Sequence, residues 1–78
     1  MIGQVPDKKQ LKRKFLKPKV LLRKTRLSKE ISQKKMGELI GISREQYAKK
    51  ERGEYAFQDY EMKLIANYLK DSESKLFF

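Results

Sequence analysis

The chain has 78 residues, of which 38% are hydrophobic, and this length supports one compact core and therefore one domain. Its formal net charge is +10, and the absence of Cys and His excludes disulfides, metal sites built from thiolates or imidazoles, and the commonest general base. No apolar run approaches the roughly 18 residues of a membrane-spanning helix, and the first residues lack the apolar segment of a signal peptide.

Residues 1–17 are predicted to form a basic N-terminal arm that is flexible or contains one short helix. Residues 1–29 contain eleven Lys or Arg and one acid, Asp7, whereas residues 30–78 contain nine side chains of each sign. This asymmetry predicts a polyanionic partner, either nucleic acid or an anionic membrane surface, and a tail that only raises solubility is the alternative. Residues 7–17 contain no amphipathic apolar face beyond Leu11, Phe15 and Leu16, so we expect no membrane partner.

We expect the folded domain to span residues 18–78. Its first helix is predicted over residues 18–28. Pro18 fits the first turn of a helix, where its missing N–H is not needed. Leu22 and Thr25 mark the side that we expect to be buried, with Val20 and Leu21 nearby.

Residues 32–53 are predicted to form two helices joined by a short turn. Ser32 and Ser43 are suitable N-caps for helices over residues 33–40 and 44–52, and Gly41 is a suitable C-cap for the first of them. The connection is too short for antiparallel helices, so the two must cross at a steep angle, as in a helix-turn-helix. Gly37 then allows close approach where the helices meet.

A fourth helix is predicted over residues 58–69, because Met62, Ile65, Ala66 and Leu69 form an amphipathic stripe. Residues 76–78 are expected to fold back as a short final turn. We find no alternation typical of strands, so the fold class is all-α: a compact domain of four to five helices with a basic N-terminal arm.

Residues 19–77, which make up most of the chain, contain a set of residues whose spacing matches a known family pattern without insertions or deletions. They are Arg26, Ile31, Ser32, Gln33, Met36, Gly37, Ile40, Gly41, Ile42, Ser43, Tyr47, Glu51, Arg52, Gly53, Met62, Ile65, Ala66, Leu69 and Leu76. In these residues the chain resembles the Cro/repressor-type (XRE-like) helix-turn-helix proteins of phages and bacteria. The resemblance implies double-stranded DNA binding, with helix 44–52 in the major groove.

The resemblance also implies roles for individual residues. It assigns base reading to three positions of the recognition helix, Arg44, Glu45 and Lys49. It assigns contacts with the sugar-phosphate backbone to three others, Gln33, Ser43 and Arg52. It further implies that Glu51 is structural and forms an ion pair with Arg26.

The chemistry of the recognition residues agrees with these roles. Arg44 can donate two hydrogen bonds to guanine, and Glu45 can accept one from cytosine. A carboxylate near DNA repels phosphate, so Glu45 favours sequence readout, although an ordinary acid in the first turn of a helix is the equal alternative. For Arg44 and Lys49 the alternative is a solvated surface charge.

The basic arm has no base-reading residues of its own, so we expect it to contact phosphates or enter a minor groove. The candidate residues are Lys8, Lys9, Lys12, Arg13, Lys14 and Lys17.

Two positions depart from the family pattern. Lys50 stands where an apolar or aromatic residue is usual, and Asp59 stands where an apolar residue usually opens the fourth helix. We hypothesise that a Lys50–Asp59 contact compensates both changes, with Tyr55 and Phe57 supplying the missing apolar packing.

The function predicted from the sequence is sequence-specific binding of double-stranded DNA by a transcriptional repressor or regulator. One small domain makes few base contacts, which favours a homodimer on a palindromic site. Tyr55, Phe57 and residues 77–78 are candidate interface residues, with packing into the core as the alternative.

The expected location is the cytoplasm of a bacterial or phage-infected cell, in association with the nucleoid. The alternatives are a protein-interaction adaptor or antitoxin and a non-specific architectural DNA binder. We expect no enzyme activity, cofactor, metal or small-molecule ligand.

Overall fold

The computed structural model describes residues 17–78, which form five helices and no strand. The predicted all-α fold class is confirmed for this range. The predicted boundary of the arm at residue 17 is not tested, because residues 1–16 lie outside the described residues. The helices are α1 (Val20–Ser28), α2 (Gln33–Ile40), α3 (Arg44–Glu51), α4 (Asp59–Leu69) and α5 (Glu73–Phe77).

Serine residues are the N-caps of three of these helices. The hydroxyl oxygens of Ser32, Ser43 and Ser72 accept hydrogen bonds from the backbone N–H three residues later, over 3.0, 3.1 and 3.1 Å. Each bond satisfies one of the N–H groups that have no partner at a helix start. The predicted caps Ser32 and Ser43 are therefore confirmed.

The end of α2 is fixed by a glycine, as predicted. Gly41 has φ +77, the left-handed conformation that costs other residues free energy. It turns the chain so that the N–H of Ile42 donates to the carbonyl oxygen of Gly37 over 2.9 Å. The connection between α2 and α3 is therefore a tight turn with a defined direction.

One apolar core joins all five helices. Leu22 comes from α1, Tyr47 from α3, and the loop before α4 contributes Phe57. The other fully or nearly fully buried members are Met36, Ile40, Ile65, Ala66, Leu69, Leu76 and Phe77. Within this core α2 packs on α3, α4 packs on α2 and α5, and α1 packs on α5.

The structure differs from the sequence predictions at three helix boundaries. Helix α1 begins at Val20 rather than at residue 18, α3 ends at Glu51 with Arg52 as its C-cap, and α4 begins at Asp59 with Gln58 as its N-cap. Boundary shifts of one or two residues arise because terminal turns lack the full set of helical hydrogen bonds.

The buried face of α1 and the aromatic residues also differ from expectation. Arg26 is buried beside Leu22, whereas Thr25 is only half-buried. Of the four candidate interface aromatics, Phe57 and Phe77 pack edge to face in the core, with ring centroids 5.0 Å apart. They are therefore core residues, while Tyr55 and Phe78 remain exposed.

Candidate nucleic-acid interface

The junction between α2 and α3 depends on a glycine. A Cβ atom on Gly37 would lie 2.7 Å from the carbonyl oxygen of Ile42 and 3.1 Å from that of Ser43. Both contacts are with backbone atoms, which cannot rotate away as a side chain does. Only glycine therefore lets α2 approach the turn this closely, which confirms the predicted role of Gly37 and sets the position of α3.

The start of α3 is held by a capping box. The N–H of Gln46 donates to the Ser43 hydroxyl over 3.1 Å, and the N–H of Ser43 donates to Gln46 Oε1 over 3.0 Å. The two reciprocal bonds order the first turn of the helix, which carries Arg44 and Glu45. Its residues are thus presented by a rigid backbone.

The predicted base-reading residues are all exposed. Arg44 and Glu45 form a loose ion pair with Nη2 and Oε1 3.7 Å apart, and both side chains are more than half exposed. Such a pair is weakened by solvent screening, so both groups remain available to a partner. Lys49 lies with its ammonium 6.0 Å from the centroid of the Tyr55 ring.

The exposed face of α3 includes a residue that the sequence interpretation missed. Tyr47, Ala48 and Glu51 are buried and face the core. Glu45, Gln46 and Lys49 therefore lie on the opposite, exposed side of the helix, where Glu45 and Lys49 are four residues apart. Gln46 uses its side-chain oxygen in the capping box, and its NH₂ group can still donate to a base acceptor. Its position between Glu45 and Lys49 was the signal that could have identified it.

A buried charge network lies beneath α3. Arg26 donates from Nε and Nη2 to the two carboxylate oxygens of Glu51, over 2.9 and 3.0 Å, and the Tyr47 hydroxyl donates to the same carboxylate over 2.6 Å. Arg26 Nη1 also donates to the carbonyl oxygen of Ile31 over 2.8 Å. The predicted Arg26–Glu51 ion pair is confirmed, and it ties α1 to the end of α3.

The network shifts the pKa values of its members. Burial alone would raise the pKa of Glu51, but the hydrogen bonds from Arg26 and Tyr47 outweigh it and hold that pKa below its ordinary value. Burial, followed by the hydrogen bond to Glu51, raises the pKa of the Tyr47 hydroxyl. The carboxylate is therefore ionised and the phenol neutral near neutral pH.

The predicted backbone-contact residues lie at different places on the two helices. Gln33, the first residue of α2, is half-buried, and its Nε2 donates to Glu51 Oε1 over 3.3 Å. Ser43 caps α3, and Arg52 at the C-cap of α3 pairs with Glu54 over 2.6 Å on the surface. Lys17 is exposed just before α1. The remaining arm candidates, Lys8, Lys9, Lys12, Arg13 and Lys14, lie outside the described residues.

The hypothesis of a Lys50–Asp59 contact is wrong. Lys50 Nζ instead lies 2.6 Å from Oε1 of Glu61, and the same oxygen accepts the backbone N–H of Gln58 over 2.8 Å. Asp59 is exposed in the first turn of α4. Glu61 lies three residues after Gln58, which is the spacing of a capping box, and this signal could have identified it as the inward-facing acid.

Within residues 17–78, no group of three or more acidic side chains is arranged to hold a metal ion. No helix in this part of the chain is long and apolar enough to cross a membrane. Every buried side-chain nitrogen or oxygen within it has a hydrogen-bond partner.

Comparison with protein families matches residues 22–74, more than half of the chain, to the family described as helix-turn-helix. The matched range begins in α1 and ends in α5, so it includes the whole of α2, α3 and α4. No curated protein matches the chain. From this match and the geometry of α2 and α3, the chain belongs to the Cro/repressor-type (XRE) helix-turn-helix family of DNA-binding transcription regulators.

Proposed function

We propose that this protein binds a specific duplex DNA sequence through α3 and represses transcription as a homodimer. The observation that carries the proposal is the exposed polar face of α3, formed by Glu45, Gln46 and Lys49 next to Arg44. The opposite face of the same helix is anchored in the core by Tyr47. A rigid helix with hydrogen-bonding side chains on its free face is suited to reading base edges in the major groove.

The chemistry of this face favours specific over non-specific binding. Arg44 offers two parallel donors to guanine, and Glu45 offers an acceptor to cytosine. In a binder that held only phosphates, the carboxylate of Glu45 would weaken the complex by repulsion. We therefore assign Arg44, Glu45 and Lys49 to base reading.

Contacts with the sugar-phosphate backbone would orient α3 in the groove. We assign this role to Gln33, Ser43 and Arg52 on and beside the two helices, and to the cations of the arm. The eleven basic residues within positions 1–29 support it, since they give this end of the chain a charge complementary to DNA. These contacts add affinity without sequence preference.

The first test is selection of binding sites from a random duplex library at about 0.15 M salt, near physiological ionic strength. The expected result is an enriched palindromic motif, because two symmetric copies read two equal half-sites. Salt-sensitive binding without a motif would indicate an architectural DNA binder. If no DNA is retained, a protein-interaction adaptor or antitoxin becomes the better proposal.

Variants then assign the motif to α3. Arg44→Ala and Lys49→Ala are each expected to relax one position of the motif, at a cost of about 1–3 kcal/mol per lost base contact. Lys63→Ala, which removes an exposed cation from α4, is the matched control and should leave the motif unchanged. A promoter carrying the selected site ahead of a reporter gene tests repression, which predicts a lower reporter signal when the protein is present.

A further inference from the structure

Two consecutive lysines of α3 each lie beside an aromatic ring. The ammonium of Lys49 lies 6.0 Å from the centroid of the Tyr55 ring. The ammonium of Lys50 lies 6.0 Å from the centroid of the Phe57 ring. At this distance the electron-rich face of a ring attracts a cation. Both rings belong to the segment between α3 and α4, so this segment lies beside the end of the recognition helix.

The two lysines differ in their other contacts. Lys50 is half-buried, and its ammonium lies 2.6 Å from the buried carboxylate of Glu61, so its position belongs to the packing of the core. Lys49 is exposed, and its ammonium forms no ion pair with an acid of residues 17–78. Within this range the ring of Tyr55 is therefore the group that attracts it.

The end of α3 fixes the place of Tyr55. Gly53 has φ +84, and its N–H donates to the carbonyl oxygen of Lys50 over 3.1 Å. The N–H of Glu54 donates to the carbonyl oxygen of Lys49 over 2.9 Å. These two bonds around a left-handed glycine form a Schellman motif, which ends the helix in a defined direction. Tyr55 follows directly, so the backbone brings its ring beside Lys49.

The place of the Lys49 ammonium affects its availability because Glu45 is close in the helix. Glu45 lies four residues before Lys49, the spacing at which Glu and Lys attract each other. An ion pair between them would neutralise two groups that the proposed function assigns to base reading. In the structure Glu45 instead lies 3.7 Å from Arg44, and Lys49 lies beside Tyr55. The carboxylate and the ammonium are therefore separate.

We propose that Tyr55 is a positioning residue for sequence recognition, because its ring holds the Lys49 ammonium where it can donate to a base and keeps it from pairing with Glu45. This inference rests on the base reading by Lys49 in the proposed function and adds a residue outside α3 to it. An ammonium has three N–H donors, so with the ring on one side, donors remain for the acceptors of guanine. A side chain that is already in place loses less conformational entropy on binding.

Competition between two duplexes tests this role. One carries the selected motif, the other has a different base pair at the position that Lys49→Ala relaxes, and the ratio of their affinities is the preference at that position. Tyr55→Ala is expected to lower this preference about two- to fivefold, which corresponds to an exposed cation–π contact. Tyr55→Phe keeps the ring and should keep the preference. Both affinities are measured with the same protein sample, so a smaller folded fraction cancels in the ratio.

Three controls separate positioning from a general effect on binding. In Tyr55→Ala, the preference at the position that Arg44→Ala relaxes should be unchanged. Tyr68→Ala, which removes a tyrosine 41% exposed on α4, should leave both preferences unchanged. In a protein that already carries Lys49→Ala, adding Tyr55→Ala should not lower the preference further, since the group that the ring positions is absent.

Nuclear magnetic resonance of the protein without DNA tests the contact itself. Protons over the face of an aromatic ring are shielded, so the side-chain ε protons of Lys49 are expected upfield of their position in Tyr55→Ala. Tyr55→Phe should keep the upfield position. The same position of these protons in the wild type and in Tyr55→Ala would overturn the contact and with it the proposal.

The proposal is also overturned if Tyr55→Ala raises the preference, since the ring then holds Lys49 away from the base. An equal loss in Tyr55→Phe and Tyr55→Ala overturns it as well, because the hydroxyl rather than the ring then carries the effect. A motif that Lys49→Ala relaxes and Tyr55→Ala leaves unchanged overturns this inference alone and leaves the proposed function intact. Selection without any enriched motif overturns the proposed function and this inference with it, even where the proton shifts show the ring contact.

Discussion

At the scale of single residues, Glu51 joins the framework that supports the recognition helix. Its carboxylate, 3% exposed, accepts hydrogen bonds from Arg26 on α1, Tyr47 on α3 and Gln33 on α2. A buried charge is tolerated only where such partners replace the lost hydration. Glu51 therefore links three helices through one side chain. Its protonation should lower the free energy of unfolding.

We predict that the free energy of unfolding decreases in acid partly because Glu51 becomes protonated. The folded protein holds the pKa of Glu51 below its ordinary value of 4.5, so this contribution is present above pH 4.5 and is lost as the pH falls through the folded pKa. Glu51→Gln should cost about 3 kcal/mol at pH 7 and flatten the pH dependence below 4.5. Urea unfolding at a series of pH values measures both effects.

Asp71→Asn is the control for this prediction. Hydrogen bonds from Lys75 and from the backbone of Ser72 also lower the pKa of Asp71, but its pair with Lys75 lies on the surface, where solvent screens it. Its substitution should therefore change the acid dependence less than Glu51→Gln does. An equal effect of the two substitutions would contradict the central role of Glu51.

The pair of Lys50 and Glu61 allows a second prediction. Glu61 is 1% exposed, so Lys50→Met leaves a buried carboxylate without its cation and should cost about 3 kcal/mol. Adding Glu61→Gln to that variant should recover part of the loss, because the unpaired charge is then removed. Asp59→Asn should cost less than about 1 kcal/mol, since only a helix-end charge is lost. A larger cost for Asp59→Asn, measured by thermal unfolding, would restore the hypothesis of a Lys50–Asp59 contact.

At the scale of elements, the angle between α2 and α3 depends on two glycines for different reasons. Gly37 lacks a Cβ where the turn passes closest, and Gly41 adopts a left-handed conformation with open space around it. The first requirement is steric and belongs to the packing of the two helices. The second is conformational and belongs to the chain itself, so a residue that tolerates positive φ can replace that glycine.

We predict that Gly37→Ala destabilises the protein by about 1–2 kcal/mol. Overpacking against the backbone of Ile42 and Ser43 costs about 1–3 kcal/mol, and the better helix propensity of alanine offsets up to about 1 kcal/mol. Gly41→Asn is the control and should cost only a few tenths, because asparagine tolerates the left-handed region. Denaturant titration compares them, and a stabilising Gly37→Ala would exclude the close approach.

At the scale of the whole molecule, charge separates the chain into two parts with different tasks. Residues 30–78 carry equal numbers of acids and bases, and those that pair internally, such as Glu51 and Glu61, support the fold. The excess of positive charge lies within residues 1–29. Affinity for DNA and its dependence on salt should therefore be separable from sequence preference.

We predict that replacing the six arm cations with glutamine makes DNA binding less sensitive to salt while keeping the selected motif. The slope of log affinity against log salt should become shallower by about five if each cation neutralises one phosphate. The substituted residues are Lys8, Lys9, Lys12, Arg13, Lys14 and Lys17. Fluorescence anisotropy over a salt series measures the slope, and a change of motif would show that the arm reads bases.

The local structure of this protein can be predicted from short stretches of the sequence. The N-caps Ser32 and Ser43, the C-cap Gly41 and the apolar face of α4 that packs into the core were all predicted and are all present. Each depends on residues within about four positions of one another, so the pattern is readable without knowing the path of the chain. The exposed residues of the recognition helix follow from the same periodicity.

The contacts between groups that are distant in the sequence depend on how the helices pack. The Arg26–Glu51 pair, 25 residues apart, was predicted through resemblance to a family rather than from spacing. The partner of Lys50 was predicted wrongly. The burial of Phe57 and Phe77 was left open, and the exposure of Tyr60, Leu64 and Tyr68 on α4 was not predicted. Whether a charged group or an aromatic ring is buried depends on which residues of another helix pack against it. Hydrophobic burial and ion pairing act through space, so the packing of all five helices decides them.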